Sequence, residues 1–182
     1  MTSTVVYLNG VSSAGKSTLA RALVDAMQEP YCLVSMDTFE GMAQRRFPLP
    51  GAMDFYSTCL VPLMHHAAAA FADAGLGVVV DAVVARADWL RDAARQLSGR
   101  RVLLVGVHCD LEELRRRERE RGDRGAGKAE AQLAFVHSVV RELCGYDFEV
   151  DTTRTSAEEC ARLIKRRLAG GPEPEAFGRL RA

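Results

Sequence analysis

The chain has 182 residues and a mass of 19.9 kDa, enough for one globular domain that buries roughly 70% of its unfolded surface. Its 24 Lys and Arg balance 24 Asp and Glu, so it lacks the basic excess of a dedicated nucleic-acid binder, and small partners are expected. An apolar content of 48% supplies a full core and excludes the classes that need disulfide or metal staples.

Thr4 to Leu8 is a short β-branched, apolar run that stops at Asn9-Gly10, the pattern of a buried central strand. A helix is expected from about Lys16 to Met27, with Leu19, Leu23 and Met27 on one face and Pro30 as its limit. Cys32 to Met36 predicts a second strand that delivers Asp37 at its end. Pro48, Pro50 and Gly51 then break a segment expected to hold a short helix and a loop. Residues 53 to 74 read as a long helical stretch interrupted by Pro62. Gly75 and Gly77 close it before a third strand, Val78 to Asp81. Arg86 to Leu97 is an amphipathic helix stopped by Ser98-Gly99, and Val102 to Val107 is a fourth strand.

Asp110 is placed to cap the next helix, with Glu113 as its reciprocal partner. A helix from about Ala126 to Leu143 and a brief strand, Phe148 to Val150, follow. Ser156 with Glu159 opens a last helix reaching about Leu168. These boundaries predict one domain over residues 1–169 and a flexible tail over 170–182, where Gly170-Gly171-Pro172 and Pro174 loosen the chain. Strands that alternate with helices and are apolar throughout need cover on both faces. The expected fold is α/β: a three-layer P-loop NTPase or kinase architecture with a five-stranded parallel sheet flanked by helices.

Gly10-Val11-Ser12-Ser13-Ala14-Gly15-Lys16-Ser17 matches GxxxxGK[ST] at every fixed position, between a predicted strand and a predicted helix. The glycines allow dihedrals that turn successive N–H groups inward, and the helix start adds its free amides, including that of Thr18. Phosphates of ATP would rest on that concavity. Lys16 would reach the β- and γ-phosphates, and Ser17 would supply a hydroxyl to Mg2+. The Ser12 and Ser13 hydroxyls are either phosphate donors or turn hydroxyls.

In an open parallel sheet, ligands sit beyond the carboxyl ends of the strands, where Asp37 and Asp81 are both expected. Asp37 reads as the general base that orients an acceptor alcohol, or as the cap of a helix starting at Thr38. Asp81 reads as a magnesium or substrate ligand, or as a loop cap. Along Leu111 to Arg124, Glu112 with Arg116 and Glu113 with Arg117 are spaced for helical ion pairs. Arg117, Arg121 and Arg124, near Gly122, Gly125 and Gly127, are candidates to touch ATP during transfer, with Lys128 close by. The alternative is a charged surface helix.

The five cysteines, Cys32, Cys59, Cys109, Cys144 and Cys160, are odd in number and lack a CxxC pair, so reduced thiols are expected. With no leader pattern, and with Asp73 and two glycines interrupting Ala67 to Val80, the expectation is a cytoplasmic protein without a membrane span. His65, His66, His108 and His137 show no metal spacing. Trp89 and Tyr56 read as packing residues, with Tyr56 also within possible reach of substrate. Phe39, Met42, Phe47, Met53 and Phe55 are divided between ligand cover and core.

LNGVSSAGKS at 8–17, Asp37, VGVHCD at 105–110, RGDR at 121–124 and YDFEVDTT at 146–153 together resemble the chloramphenicol phosphotransferase family of small P-loop kinases, over about residues 4 to 168. The resemblance implies ATP-dependent phosphorylation of a hydroxyl on an antibiotic or similar natural product. It places the phosphate-binding lysine and serine on Lys16 and Ser17, the base on Asp37, the lid on Arg121 to Arg124, and Asp151, Thr152 and Thr153 near the adenine. The stretch from Asp37 to Asp81 is shorter than in the chloramphenicol enzyme, and Ala82 stands where a second acid is expected. A metabolic kinase for a nucleoside, sugar or shikimate-like alcohol is the nearest alternative, followed by a nucleotide switch and a polynucleotide kinase.

Overall fold

The computed structural model describes residues 3–42, 55–121 and 127–180. Its strands are β1 (Thr4–Asn9), β2 (Tyr31–Ser35), β3 (Gly77–Ala82), β4 (Arg101–His108) and β5 (Phe148–Asp151). Its helices are α1 (Lys16–Ala26), α2 (Met36–Met42), α3 (Val61–Asp73), α4 (Ala87–Gln96), α5 (Leu111–Arg121), α6 (Lys128–Leu133), α7 (Val136–Leu143), α8 (Ala157–Gly170) and α9 (Ala176–Arg179).

All strands are parallel, in the order β2-β3-β1-β4-β5. The central β1 is sealed on both sides, with Val5, Val6, Tyr7 and Leu8 at most 1% exposed. Odd positions Val5 and Tyr7 join Val78, Val80 and Leu104 in a core under α3, α4 and α7. Even positions Val6 and Leu8 join Val79, Leu103 and Val105 in a second core under α1 and α8. That alternation is the period of a strand covered twice.

Chain order and sheet order disagree at β1. The chain leaves β1 toward β2 and later hops over it from β3 to β4, which opens a crevice at the carboxyl end of β1. Register brings the neighbouring strand ends level there: Leu8 lies opposite Asp81, and Asp81 opposite Ser35.

Several expectations need correction. Pro62 does not interrupt the long helix. A π-helical turn over Tyr56–Leu60, in which Val61 N–H reaches back to Tyr56 O, carries the helical path into α3, and Pro62 sits in the first turn, where its missing N–H does least harm. The helix expected over 126–143 divides into α6 and α7. Phe135 at the junction leaves the helical conformation and stays 38% exposed, while Val136 and Val140 are buried.

The segment from Gly170, expected as a flexible tail, is docked as far as it is described. Ala176 and Phe177 are buried, the Phe177 ring lies 5.7 Å from that of Tyr7, and Asp147 Oδ1 accepts from Glu175 N and Ala176 N at 2.7 and 2.9 Å. Gly and Pro shape the connection, but the apolar pair after them joins the first core. The two expected caps form: Asp110 Oδ1 accepts from Glu113 N at 2.8 Å, and Ser156 Oγ from Glu159 N at 3.2 Å. The reciprocal half of the first cap comes from Thr153, whose Oγ1 accepts from Asp110 N at 3.0 Å. All five cysteines are free thiols.

Candidate active site at the phosphate loop

The loop from Gly10 to Gly15 turns sharply from β1 into α1, and its geometry explains its sequence. A Cβ on Gly10 would sit 2.4 Å from Val107 O, so only glycine lets β1 hand over to the loop this close to β4. Gly15 has φ 82° and Ser13 φ 61°, both left-handed. Such turns aim consecutive amides into one concavity. Ser13 Oγ is buried and has no hydrogen-bond partner among the described residues. A buried hydroxyl of that kind costs about 1–3 kcal/mol unless something meets it. A phosphate oxygen in the concavity fits that need.

Two hollows border Lys16 and Ser17, with otherwise different linings. The first, about 250 Å3, is bordered by Ser13, Gly15, Thr18, Arg117 and Glu120. Arg117 is pinned there: Nε donates to Glu113 Oε1 at 2.7 Å, Nη2 to Thr152 O at 2.7 Å, and Nη1 to Thr152 Oγ1 at 3.2 Å. Thr152 in turn donates to Ala14 O at 2.7 Å, with His108 O at 3.1 Å. The hydroxyl of Thr152 is therefore committed to holding the loop. Arg116 and Arg117 hold the Glu113 carboxyl well below the usual range, at about 2. Asp151 accepts from Thr153 N at 2.7 Å beside a shallower hollow of about 350 Å3 that Asp110 and Thr153 share.

The second hollow, about 240 Å3, is lined by Lys16, Ser17 and Asp81 together with Asp37 and Glu40 of α2. Ser17 Oγ donates to Asp81 Oδ2 at 2.6 Å. Lys16 is 7% exposed and its Nζ donates to Val11 O at 2.9 Å. Asp37 is not the cap of its helix. Ser35 takes that place, its Oγ accepting from Thr38 N at 3.3 Å, so α2 begins at Met36 and Asp37 lies in the first turn. Tyr56 and Trp89 supply aromatic walls, and Lys128 and Gln132 border the same hollow. Trp89, expected as packing alone, also donates from Nε1 to Ser57 at 2.9 Å.

Behind the loop, Asn9 fastens three elements. Its Oδ1 accepts from Val84 N at 2.8 Å, and Nδ2 donates to Tyr146 Oη at 2.8 Å and Val136 O at 3.3 Å. Tyr146 Oη is 2.8 Å from His137 Nδ1, and His137 stacks on His108 with centroids 4.1 Å apart. Burial, then the nearby His108, pushes the His137 imidazole down to about 4. On the same face of the sheet, His65 bridges Tyr7 and Asp92 at 2.8 and 2.7 Å. The His65 contact, acting against burial, holds the Asp92 carboxyl below its ordinary value. His65, His108 and His137 are thus framework groups, and no group of three or more metal-ligating side chains occurs among the described residues.

The structure brings together Gly10 to Thr18, Asp81, Asp37, Arg117 and the 151–153 turn. The side chain of Arg121, and Arg124, Phe47 and Met53 entirely, lie outside the described residues. Phe39 packs on the core and Met42 is 74% exposed. Of the expected ion pairs, Glu113 with Arg117 forms, while Arg116 pairs with Glu113 and Glu120. Sequence reasoning missed Asn9, Met36 and Gln132. Asn9 had a signal, since a polar residue closing an apolar central strand needs partners; Gln132, inside a polar helix, had none.

The profile of the family described as chloramphenicol phosphotransferase-like protein matches residues 3–169. A candidate O-phosphotransferase of Mycobacterium tuberculosis is 33% identical over 206 aligned positions, covering 97% of this chain and 87% of its own. Among solved structures, the tunicamycin resistance protein of Deinococcus radiodurans superposes with a TM-score of 0.69 at 17% identity, over 94% of this chain and 98% of that one. The APS kinase of M. tuberculosis, solved with AMPPNP and APS, gives 0.68 at 18% identity, over 92% and 98%. At these identities the two structures establish the shared fold, a five-stranded parallel sheet flanked by helices. The family match and the relative together carry the assignment: this chain belongs to the chloramphenicol phosphotransferase-like family and is a phosphotransferase on a P-loop kinase fold.

Proposed function

We propose that the protein transfers the γ-phosphate of ATP to a hydroxyl of a small molecule, with a hydroxylated antibiotic as the acceptor. The observation that carries this reading is the hollow of about 240 Å3 whose lining brings Asp37 together with Lys16 and Ser17. Asp37 accepts the proton of the acceptor alcohol and orients its oxygen toward the phosphorus, work that contributes about 10²–10⁴-fold. Loop amides and Lys16 stabilise charge on the phosphate oxygens, and Arg117 borders the hollow on the nucleotide side. Ser17 and Asp81, 2.6 Å apart, would hold Mg2+, which neutralises phosphate charge when bound. Tyr56 and Trp89 offer apolar faces to the acceptor.

A second reading, a metabolic kinase for a small sugar, nucleoside or shikimate-like alcohol, is favoured by size. About 240 Å3 falls under the roughly 300–1,000 Å3 of a pocket that takes a whole drug-sized molecule. A large antibiotic would insert only the part that bears its hydroxyl. Incubating the protein with magnesium-ATP and a mixture of hydroxylated antibiotics and primary metabolites separates the two, because a phosphorylated product is about 80 Da heavier by mass spectrometry. Gain on an antibiotic supports the first reading. Rapid gain on a metabolite alone transfers the assignment to the second, and no gain on any alcohol ends both.

A further inference from the structure

Gln132 makes the one side-chain contact to a phosphate-loop amide that the described hydrogen bonds contain: its Oε1 accepts from Ser12 N at 2.6 Å. The two serines of the loop face different ways. Ser12 borders the hollow that holds Asp37, and Ser13 borders the one that holds Arg117. The Ser12 amide therefore marks the end of the loop from which a phosphoryl group departs, and Gln132 borders that hollow too.

A carboxamide has one acceptor arm and one donor arm. Because Oε1 is committed to an N–H, the second arm at this site is the Nε2 donor, and swapping the two would set N–H against N–H. The helix that presents it is fastened. Glu118, 7% exposed, accepts from Gly127 N at 3.0 Å and Ala129 N at 2.8 Å, Ala129 is buried, and Glu130 pairs with Arg115 at 2.8 Å. Such support is what a group needs to act without reorganising during reaction.

We propose that Gln132 is a catalytic residue: held by the Ser12 amide, it donates from Nε2 to an oxygen of the phosphoryl group in transit. The inference rests on reading this hollow as the transfer site. In the step, the bond from the γ-phosphorus to its bridging oxygen breaks, leaving that electron pair on the nucleoside diphosphate. The bond to the acceptor oxygen forms, and the acceptor proton passes to Asp37. Gln132 neither gains nor loses a proton, so its contribution is a neutral donor among carboxylates.

Gln132→Glu separates this role from a structural one, because it is nearly isosteric, keeps an acceptor for Ser12 N and removes the donor. Gln132→Ala removes both. The probes are magnesium-ATP with the hydroxyl acceptor that the parent phosphorylates, and magnesium-ATP alone with water as acceptor. One missing oxyanion donor costs about 10²–10³-fold, so kcat should fall about 100-fold in both variants while KM for ATP moves less than about 3-fold. The Gln132→Glu variant should regain rate, relative to the parent, as pH falls and its carboxyl becomes an O–H donor. A Gln132→Glu kcat within twofold of the parent overturns the inference, as does a change confined to KM. If Gln132→Ala unfolds, the Glu variant decides, with its Tm as the check on folding. An active parent with an unaffected Glu variant overturns this inference alone; a parent that transfers to no acceptor overturns the proposed function with it.

Discussion

The two sides of the phosphate loop are built differently. On the side that the proposed function gives to the nucleotide, Glu113, Arg117 and Thr152 form a chain of contacts that ends on Ala14 O, so strands β4 and β5 and helix α5 all bear on the loop. On the side it gives to the acceptor, Asp37 rides on a seven-residue helix with no buried residue, entered from edge strand β2. On that reading, the difference suits what each side recognises. A triphosphate has one shape and charge, and rigid donors aimed at it gain most from being fixed beforehand. A thin helix at a sheet edge, by contrast, can be altered at little cost to the core.

That contrast predicts separable effects on chemistry and stability. The largest belongs to Asp37→Asn, where kcat should fall about 10²–10⁴-fold. Because Asp37 is exposed, the urea midpoint should correspond to a stability within about 0.5 kcal/mol of the parent. A variant that keeps full kcat would remove the base from the acceptor side and collapse the comparison.

Gly10→Ala tests the opposite pole. Its Cβ would meet Val107 O, a backbone atom with little room to retreat, and should cost roughly 3 kcal/mol of stability together with nucleotide binding. Thr152→Val is gentler. It leaves Ala14 O unpaired and takes one contact from Arg117, so about 1–3 kcal/mol should be lost. Nucleotide affinity, read by calorimetry, should weaken while acceptor KM holds. If acceptor KM moves instead, the two sides are coupled more tightly than their contacts indicate.

The smallest effect concerns His137, behind the loop between Tyr146 and His108, with Arg141 and Glu149 alongside. Burial depresses its pKa to about 4, so the folded protein keeps it neutral where the unfolded chain, near pH 6.5, takes up a proton. Its contribution is complete above about pH 6.5 and is lost as pH falls toward about 4, on the order of 2 kcal/mol. The parent should therefore lose more stability than His137→Gln between pH 7 and 4.5. Equal slopes in the two denaturation series would show that the imidazole is not held neutral.

Much of this was legible beforehand because the signals are local. Val5 to Leu8, Val78 to Val80 and Val102 to Val107 are apolar without a break, as strands covered on two faces must be. The phosphate loop carries its own glycines, and Ser156 and Asp110 announce their helices within four residues. The misreadings came where distant parts of the chain meet. Pro62 looked like a stop because a π-helical turn cannot be seen in a pattern of period 3.6. Phe177 looked like part of a tail because the space it fills lies against Tyr7, 170 positions earlier.

Local spacing along the chain is enough to specify a parallel α/β sheet, a P-loop turn after its first strand, and acids just past or at the ends of the second and third. These depend on period, on glycine's freedom and on residues within one turn of each other. Only the tertiary structure decided that Ser35 displaces Asp37 as the cap, that Thr152 serves the loop with its hydroxyl, and that Gln132 reaches Ser12 across 120 positions. Those arrangements come from strand register and helix docking, which set where far-separated donors and acceptors meet and leave no trace in local spacing.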